Sequence, residues 1–521
     1  MRDYTEIHLF YYIGEKQVGD KLCDCLPANF IPWHGQNKTL WQTVKTILLP
    51  VSWLDANALK LGQTEHISIK QEEVAMHAMR FCTLSSNSRF FMVQGPPGTG
   101  KSDLVVNITL NFLKNLDKGI AILLLAQSNA AVENLVRRIV MLRKDFPKPL
   151  KDRVRIIRMG RNPQSAADLA DYHVDNHVAR HLRSMLFQQA PHLMHSYRVL
   201  EEEVFALPGV QIQTLEKKER EYANFVRNHY LQQYHREEAQ VRNLVFEKAT
   251  LICSTIGSSY AFPSRKLQLK FKCCIIDEAT QATEPDTLLP LTQDVNKFIL
   301  VGDTRQLPPH QTLVPKEYLF SRSLFVRLQK VLRDAPSHNA LHLLDTQYRM
   351  REEICSFPNR QFYCDKLITH PQPCREDIKT LAPYLVFEVN EGNKTKTYVN
   401  LKEIEAILMI LLTISRLKLE SQLTIGIITP YNEQRIELQK QLETLNLNRR
   451  MKVLVNTIDG FQGQEQDIIL LSLVLRMANS FVNDAQRLNV ALTRARSCLY
   501  VFGSPILFES GSHTQLEKGR H

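Results

Sequence analysis

Phe90-Phe91-Met92-Val93-Gln94-Gly95-Pro96-Pro97-Gly98-Thr99-Gly100-Lys101-Ser102 is the stretch on which the reading of the fold turns. Its first five residues are an apolar, strand-like run. Residues 95–102 fit G-x-x-x-x-G-K-[ST], and Asp103–Leu113 continues with helical spacing. In that strand, loop and helix order the motif has a mechanism: glycines let backbone N–H groups cup phosphates, a lysine reaches the β and γ oxygens, and a hydroxyl ligates Mg²⁺. Gly95, Pro96, Pro97, Gly98, Thr99, Gly100, Lys101 and Ser102 are therefore candidates for holding ATP, with Lys101 as the phosphate cation and Ser102 as a metal ligand.

Such a loop needs a strand that ends in a carboxylate to hold the metal, and a base beside it for hydrolysis. Lys272–Asp277 followed by Glu278 supplies both, with Asp277 as metal ligand and Glu278 as the base that activates water. Further short apolar runs are Ile120–Gln127, Phe298–Asp303, Leu423–Pro430, Val453–Asp459, Asp467–Val474 and Leu499–Gly503. Longer helix-compatible stretches such as Val132–Met141 and Asn432–Leu445 separate most of them. Continuous apolar strands alternating with helices predict α/β architecture with parallel sheets covered on both faces. Only the first half carries a P-loop, so the second half can complete a nucleotide site but cannot form one of its own in that manner.

The 521 residues predict two or three domains; 44% are hydrophobic and 23% charged, which excludes fibrous and wholly disordered classes. A net charge of +11 favours a polyanionic partner. No apolar run reaches the ~20 residues of a membrane helix, and the first residues lack a signal-peptide pattern, so a soluble intracellular chain that binds no membrane is expected. Ten cysteines without a CxxC pair read as buried thiols. His173, His177 and His181 share a helix face in a polar region from Arg161 to Lys248, a weak metal pattern within what reads as a projecting helical insertion.

Read in order, Gln71, GPPGTGKS at Gly95–Ser102, LLAQSNAAVENL at Leu124–Leu135, LICST at Leu251–Thr255, DEATQATEP at Asp277–Pro285, VGDTRQLPP at Val301–Pro309, QYRM at Gln347–Met350, ITPYNEQ at Ile428–Gln434, TIDGFQGQE at Thr457–Glu465 and NVALTRAR at Asn489–Arg496 resemble the ordered motifs of superfamily 1 helicases. DEATQATEP and SLFVRL at Ser323–Leu328 resemble the up-frameshift and senataxin branch. The resemblance implies two RecA-like parallel-sheet domains with a helical insertion in the first. The expected boundaries are 1–69 for an N-terminal segment that is a remnant of an accessory barrel and stalk, 70–160 with 249–335 for the first domain, 161–248 for the insertion, 336–505 for the second domain and 506–521 for a polar tail.

It further implies that Gln71 reads the adenine edge, Tyr348 stacks on the base, Gln306 senses the γ-phosphate, Glu465 meets the ribose and phosphate side, and Arg349 and Arg494 are lent to the phosphates by the second domain. A guanidinium aimed at the charge that builds up in phosphoryl transfer is worth ~10³–10⁵ in rate. Ser128, Asn129, Thr255, Thr429, Tyr431 and Thr457 are the implied contacts to nucleic acid, although each singly fits a strand-end turn or helix cap equally well. Two departures from the family pattern are Arg351-Glu352 where His-Pro is common and Gln127 where proline is frequent. The implied activity is ATP-dependent unwinding of RNA or DNA with 5′-to-3′ polarity, by a monomer acting on single strands or RNA:DNA hybrids. An ATP-gated clamp on single-stranded RNA, or a remodeller of RNA–protein complexes that does not unwind duplexes, is the alternative. The senataxin likeness implies the nucleus, and the up-frameshift likeness the cytoplasm.

Overall fold

Strands that pair in parallel under helices on both faces read as near-continuous apolar runs, and most of the runs singled out above fold that way, the partly exposed Met451–Thr457 apart. The computed structural model describes residues 7–10, 69–83, 89–117, 119–160, 164–189, 238–261, 269–293, 295–309, 322–333, 341–371, 375–389, 398–474 and 484–504. In chain order the first part comprises β1 (Ile7–Phe10), α1 (Ile69–Thr83), β2 (Phe90–Gln94), α2 (Lys101–Lys114), β3 (Ile120–Ala126), α3 (Asn129–Arg143), β4 (Ile156–Arg158), α4 (Val174–Gln189), β5 (Leu251–Thr255), β6 (Lys270–Ile276), β7 (Phe298–Gly302), α5 (Leu324–Arg333) and β8 (Leu341–Leu343). The remainder comprises β9 (Thr346–Gln347), α6 (Glu352–Tyr363), β10 (Ile368–Thr369), β11 (Tyr384–Val389), α7 (Leu401–Ser415), β12 (Leu423–Thr429), α8 (Asn432–Leu442), β13 (Met451–Thr457), β14 (Gln466–Ser472), α9 (Ala485–Leu492) and β15 (Ala495–Gly503).

The first sheet has seven strands in the order β4-β5-β3-β6-β7-β2-β8, all parallel. The second has six in the order β1-β11-β15-β14-β12-β13, parallel except for β1, which runs antiparallel to β11 at one edge. Each sheet is cored on both faces. Leu104, Ile108 and Val136 pack on one side of the first sheet, and Phe246, Phe298 and Phe325 on the other. Two further clusters, around Phe461 and Val501 and around Ile407 and Phe502, sandwich the second. Two RecA-like parallel-sheet domains follow from this arrangement.

Two expected boundaries move. Leu341–Leu343 was placed in the second domain, but β8 hydrogen-bonds to β2 and closes the edge of the first sheet, so the crossing falls after Leu343. The N-terminal segment contributes β1 to the second sheet; its Trp33, Trp41 and Trp53 lie outside the described residues. The described ends of the insertion do not simply project. Val174, Val178, Val241 and Phe246 are buried against the first sheet, while residues 190–237 lie outside the described part. His173 turns inward, 2% exposed, with Nε2 2.8 Å from the Gly160 carbonyl, and the described residues contain no group of three His, Cys, Asp or Glu side chains arranged for a metal.

A cavity of about 510 Å³ opens beside the N-terminal end of β4, with Arg143, Lys151 and Lys248 among its walls. Arg143 closes α3 and Lys248 follows the helical residues 238–247, so each offsets a negative helix end. Cys82, Cys253, Cys273, Cys274, Cys355 and Cys498 are buried free thiols and Cys364 is exposed; no described helix is long and apolar enough to cross a membrane.

Candidate active site

The P-loop turns because Gly98 and Gly100 adopt φ of 74° and 73°, the left-handed region that side chains avoid. Space forbids a side chain there as well. A Cβ on Gly98 would meet Arg349 Cβ at 2.7 Å, and one on Gly100 would meet Gln71 Nε2 at 2.4 Å. Gly95 N–H donates to the Gly302 carbonyl at 2.9 Å, tying the loop's start to the end of β7. Lys101 Nζ lies across the loop, donating to the Gly95 carbonyl at 2.7 Å, and Gln71 Nε2 donates to the Thr99 carbonyl at 2.7 Å.

Three neighbouring strands bring carboxylate, hydroxyl and amide groups to this loop. Ser102 Oγ, at the start of α2, donates to Asp277 Oδ2 at 3.1 Å just beyond β6. Burial, and then the neighbouring Glu278, push the Asp277 carboxyl up to about 6, against the pull of Lys101. Glu278 itself sits at φ 52°, an uncommon conformation for a side-chain-bearing residue, and its Oε2 accepts from Gln281 Nε2 at 3.0 Å. Past β7, Asp303 is fully buried and accepts from Gln94 Nε2 at 2.6 Å, Gln306 Nε2 at 3.0 Å and Arg305 N–H at 3.0 Å. Burial raises its carboxyl above the usual range in spite of these donors and Lys101.

The second domain leans directly on the loop. Tyr348 N–H donates to the Gly98 carbonyl at 2.7 Å, and the Tyr348 ring lies 4.9 Å from that of His370. Arg349 donates to Glu465 at 2.5 Å and to the Thr493 carbonyl at 2.9 Å. Arg496 grips the same carboxylate. Burial alone would raise Glu465; Arg349 and Arg496 overcome it and hold the carboxyl at about 2. Arg494 is 2% exposed, donating to the Val490 carbonyl at 2.9 Å and to Thr493 Oγ1 at 3.0 Å. Burial and then Arg349 lower its guanidinium to about 9, opposed by Glu278 and Glu465, so it keeps its charge at neutral pH.

Lys101, Ser102, Asp277, Glu278, Gln306, Arg349 and Arg494 thus form one linked neighbourhood around the phosphate loop, with Gln71 and Tyr348 against the loop on its flanks. Asp303, Tyr363, His370, Asn489 and Arg496 belong to the same neighbourhood and had not been singled out. The candidates for nucleic acid sit apart, at strand ends. Ser128 caps α3 by accepting from Ala131 N–H, and Asn129 accepts from the buried Arg158 at 2.7 Å. Thr255 Oγ1 donates to Ser258 Oγ at 2.8 Å, and Thr457 Oγ1 accepts from Gly460 N–H at 3.2 Å. Thr429 is 0% exposed, with Oγ1 unpartnered, and cannot touch a phosphate in this arrangement. Tyr431 stacks on the half-exposed Tyr398, with rings 4.5 Å apart and 17° from parallel.

A P-loop and paired acids on one parallel sheet, faced by arginines from another, define a two-domain P-loop nucleotide-binding protein. Family models described as AAA domains match residues 70–312 and 320–506. "Probable helicase senataxin" of Homo sapiens is 29% identical over 80% of the chain and 18% of that protein's length. "Helicase sen1" of Schizosaccharomyces pombe is 30% identical over 81% of the chain and 28% of its own. "Regulator of nonsense transcripts 1 homolog" of Drosophila melanogaster is 29% identical over 80% and 33%. The chain belongs to the superfamily 1 helicases, in the up-frameshift and senataxin branch. It spans a third or less of the length of these relatives.

Proposed function

We propose that the chain is an ATP-driven motor on single-stranded nucleic acid, with ATP bound between its two sheets. The observation that carries this reading is the contact of the second domain with the phosphate loop: Tyr348 N–H on the Gly98 carbonyl, with Arg349 packed against Gly98. A nucleotide in the loop is then within the field of two arginines from the other domain, so its arrival and hydrolysis alter how the domains meet.

In this reading Gln71 and Tyr348 bracket the adenine, Lys101 and the loop N–H groups hold the β and γ phosphates, and Gln306 contacts the γ-phosphate. Ser102 and Asp277 fit Mg²⁺, since a hydroxyl and a carboxylate oxygen already face each other at 3.1 Å as hard ligands. When bound, that ion neutralises charge on the phosphate oxygens. Glu278 takes the proton from the attacking water, and Arg349 and Arg494 stabilise the charge that spreads over the transferring phosphoryl group. Glu465 aligns Arg349, a duty its ion pair supports in addition to the ribose contact first expected of it.

Ser128, Asn129, Thr255 and Thr457 contact the phosphates of a single strand that crosses the strand ends of both sheets, and Tyr431 offers a base platform. Polarity of 5′ to 3′, action as a monomer and residence in the nucleus belong to the same proposal. The deciding experiment measures ATPase rate with and without single-stranded RNA or DNA, beside strand separation on duplexes with 5′ or 3′ tails. Stimulated hydrolysis with unwinding of the 5′-tailed duplex is expected. Stimulation without unwinding makes the chain an ATP-gated clamp, and hydrolysis indifferent to nucleic acid overturns both.

A further inference from the structure

Asp303 and Arg494 stand in different domains, yet a line of buried hydrogen bonds joins them through side chains and the Asn489 carbonyl, and it crosses the interface at Tyr363. Gln306 Nε2 donates to Asp303 Oδ2 at 3.0 Å, and the Tyr363 hydroxyl donates to the same oxygen at 2.7 Å. Asn489 Nδ2 donates to the Tyr363 oxygen at 2.7 Å and to the Arg305 carbonyl at 2.8 Å. One turn further along, Thr493 Oγ1 donates to the Asn489 carbonyl at 2.7 Å, and Arg494 Nη2 donates to Thr493 Oγ1 at 3.0 Å.

Asp303, Gln306, Tyr363, Asn489, Thr493 and Arg494 are each no more than 7% exposed, so water offers their side chains few substitute partners. The hydrogens are also fixed in order. A carboxylate can only accept and an amide nitrogen can only donate, so the single Tyr363 hydroxyl must point its proton at Asp303 and its lone pair at Asn489. A buried bond of this kind, charge-assisted at one end, is costly to leave unmade.

We propose that Tyr363 is a positioning residue that couples the sensor Gln306 to the placement of Arg494. This inference rests on the ATP-hydrolysing reading above. When Gln306 reorients toward a γ-phosphate it draws on Asp303, and the Tyr363 hydroxyl carries that displacement to Asn489 on α9, whose C-terminal end holds Thr493 and Arg494. The device is a two-state polar contact biased by the nucleotide, which is the physical content such a coupling requires.

Tyr363→Phe removes one oxygen and keeps the ring, and its turnover is measured against ATP with the single strand that stimulates the unsubstituted chain. The expected result is a loss of about tenfold in kcat with KM for ATP within about twofold, the scale of one buried charge-assisted hydrogen bond. The melting temperature stays within about 3 °C of the parent. In an Arg494→Lys background the same substitution changes kcat by less than about twofold, because its effect runs through Arg494. Equal losses in both backgrounds, or a Tyr363→Phe variant with parental kcat, overturn the proposal while leaving the motor reading intact. An unsubstituted chain that does not hydrolyse ATP overturns the motor reading and this coupling together.

Discussion

A glutamate at φ 52° directly after a buried strand is held there by its surroundings, and the conformation is commonest where a side chain must be aimed. Glu278→Gln keeps that aim and removes the base. ATP binding is expected to survive, hydrolysis to fall by ~10²-fold or more, and single strands to be held in ATP at least as tightly as by the parent chain. Loss of nucleotide affinity together with turnover would make Glu278 structural. Arg494 is buried near the phosphate loop and bonded to its own domain, so its charge, still present with a pKa of about 9, acts at short range in a poorly screened place. Arg494→Ala is therefore expected to reduce turnover ~10³-fold with a much smaller change in ATP affinity. If affinity falls while turnover per bound ATP is unchanged, its part in phosphoryl transfer is refuted. Glu465 shows why some roles escape sequence reading: its partners Arg349 and Arg496 lie 116 and 31 residues away, and nothing near Glu465 announces them.

At the level of elements, the end of β12 presents the stacked pair of Tyr398 and Tyr431. A nucleic-acid base laid on the outer ring gains ~1–3 kcal/mol. Tyr398→Ala is expected to weaken single-strand binding ~10-fold or more, across sequences, with ATPase activity in the absence of nucleic acid unchanged; equal strand affinity in a filter-binding titration would remove the pair from the path. Strands β2, β6, β7, β12 and β14 were legible because each holds an unbroken buried apolar stretch of at least three residues. The run at β2 matches its strand, and those at β6, β7, β12 and β14 end one or two residues long, as at Asp277 and Asp303, where the functional carboxylate begins just beyond the ladder. Leu341–Leu343 was missed because three half-buried residues carry no period, and Tyr384–Val389 because a short apolar run interrupted by Glu388 suits a helix turn as well as a strand. Tyr363 gave no local signal at all. Its partners are 60 and 126 residues away, and a tyrosine after a phenylalanine reads as core filling.

Across the whole molecule, charge sets two responses. Strand binding through phosphates should weaken steeply with salt, as the net charge of +11 already hinted. Stability should also depend on Glu403, buried where α7 begins and accepting from Ser472 Oγ and Val474 N–H. Burial outweighs those donors and raises its carboxyl to about 7, against an ordinary 4.5. The folded chain thus binds this proton more tightly than the unfolded one. The contribution to stability is greatest below the ordinary value and is lost as pH rises through about 7, by on the order of a few kcal/mol. Melting temperatures taken between about pH 5 and about pH 8 should fall for the parent chain and fall less for Glu403→Gln; identical slopes would show that other groups govern the window.

The chain leaves the first sheet for the β9-β10 pair of the other domain through only Leu344 and Asp345, between the end of β8 and the start of β9. Leu344 N–H still bonds to Gln94 of the first sheet, while the Asp345 carbonyl already accepts from Ile368 N–H of the other side. Arg349 follows four residues later, and with at most ~3.5 Å of reach per residue it is leashed to the strand that feeds the phosphate loop. In the proposed motor this arginine therefore stays at a high effective concentration near the phosphate loop, and closing is a first-order event whose rate ignores how much protein is present. In the proposed motor the two halves form a pivoting jaw with a very short pin, and a second half supplied as a separate polypeptide would have to recover by affinity what two residues now provide by connection.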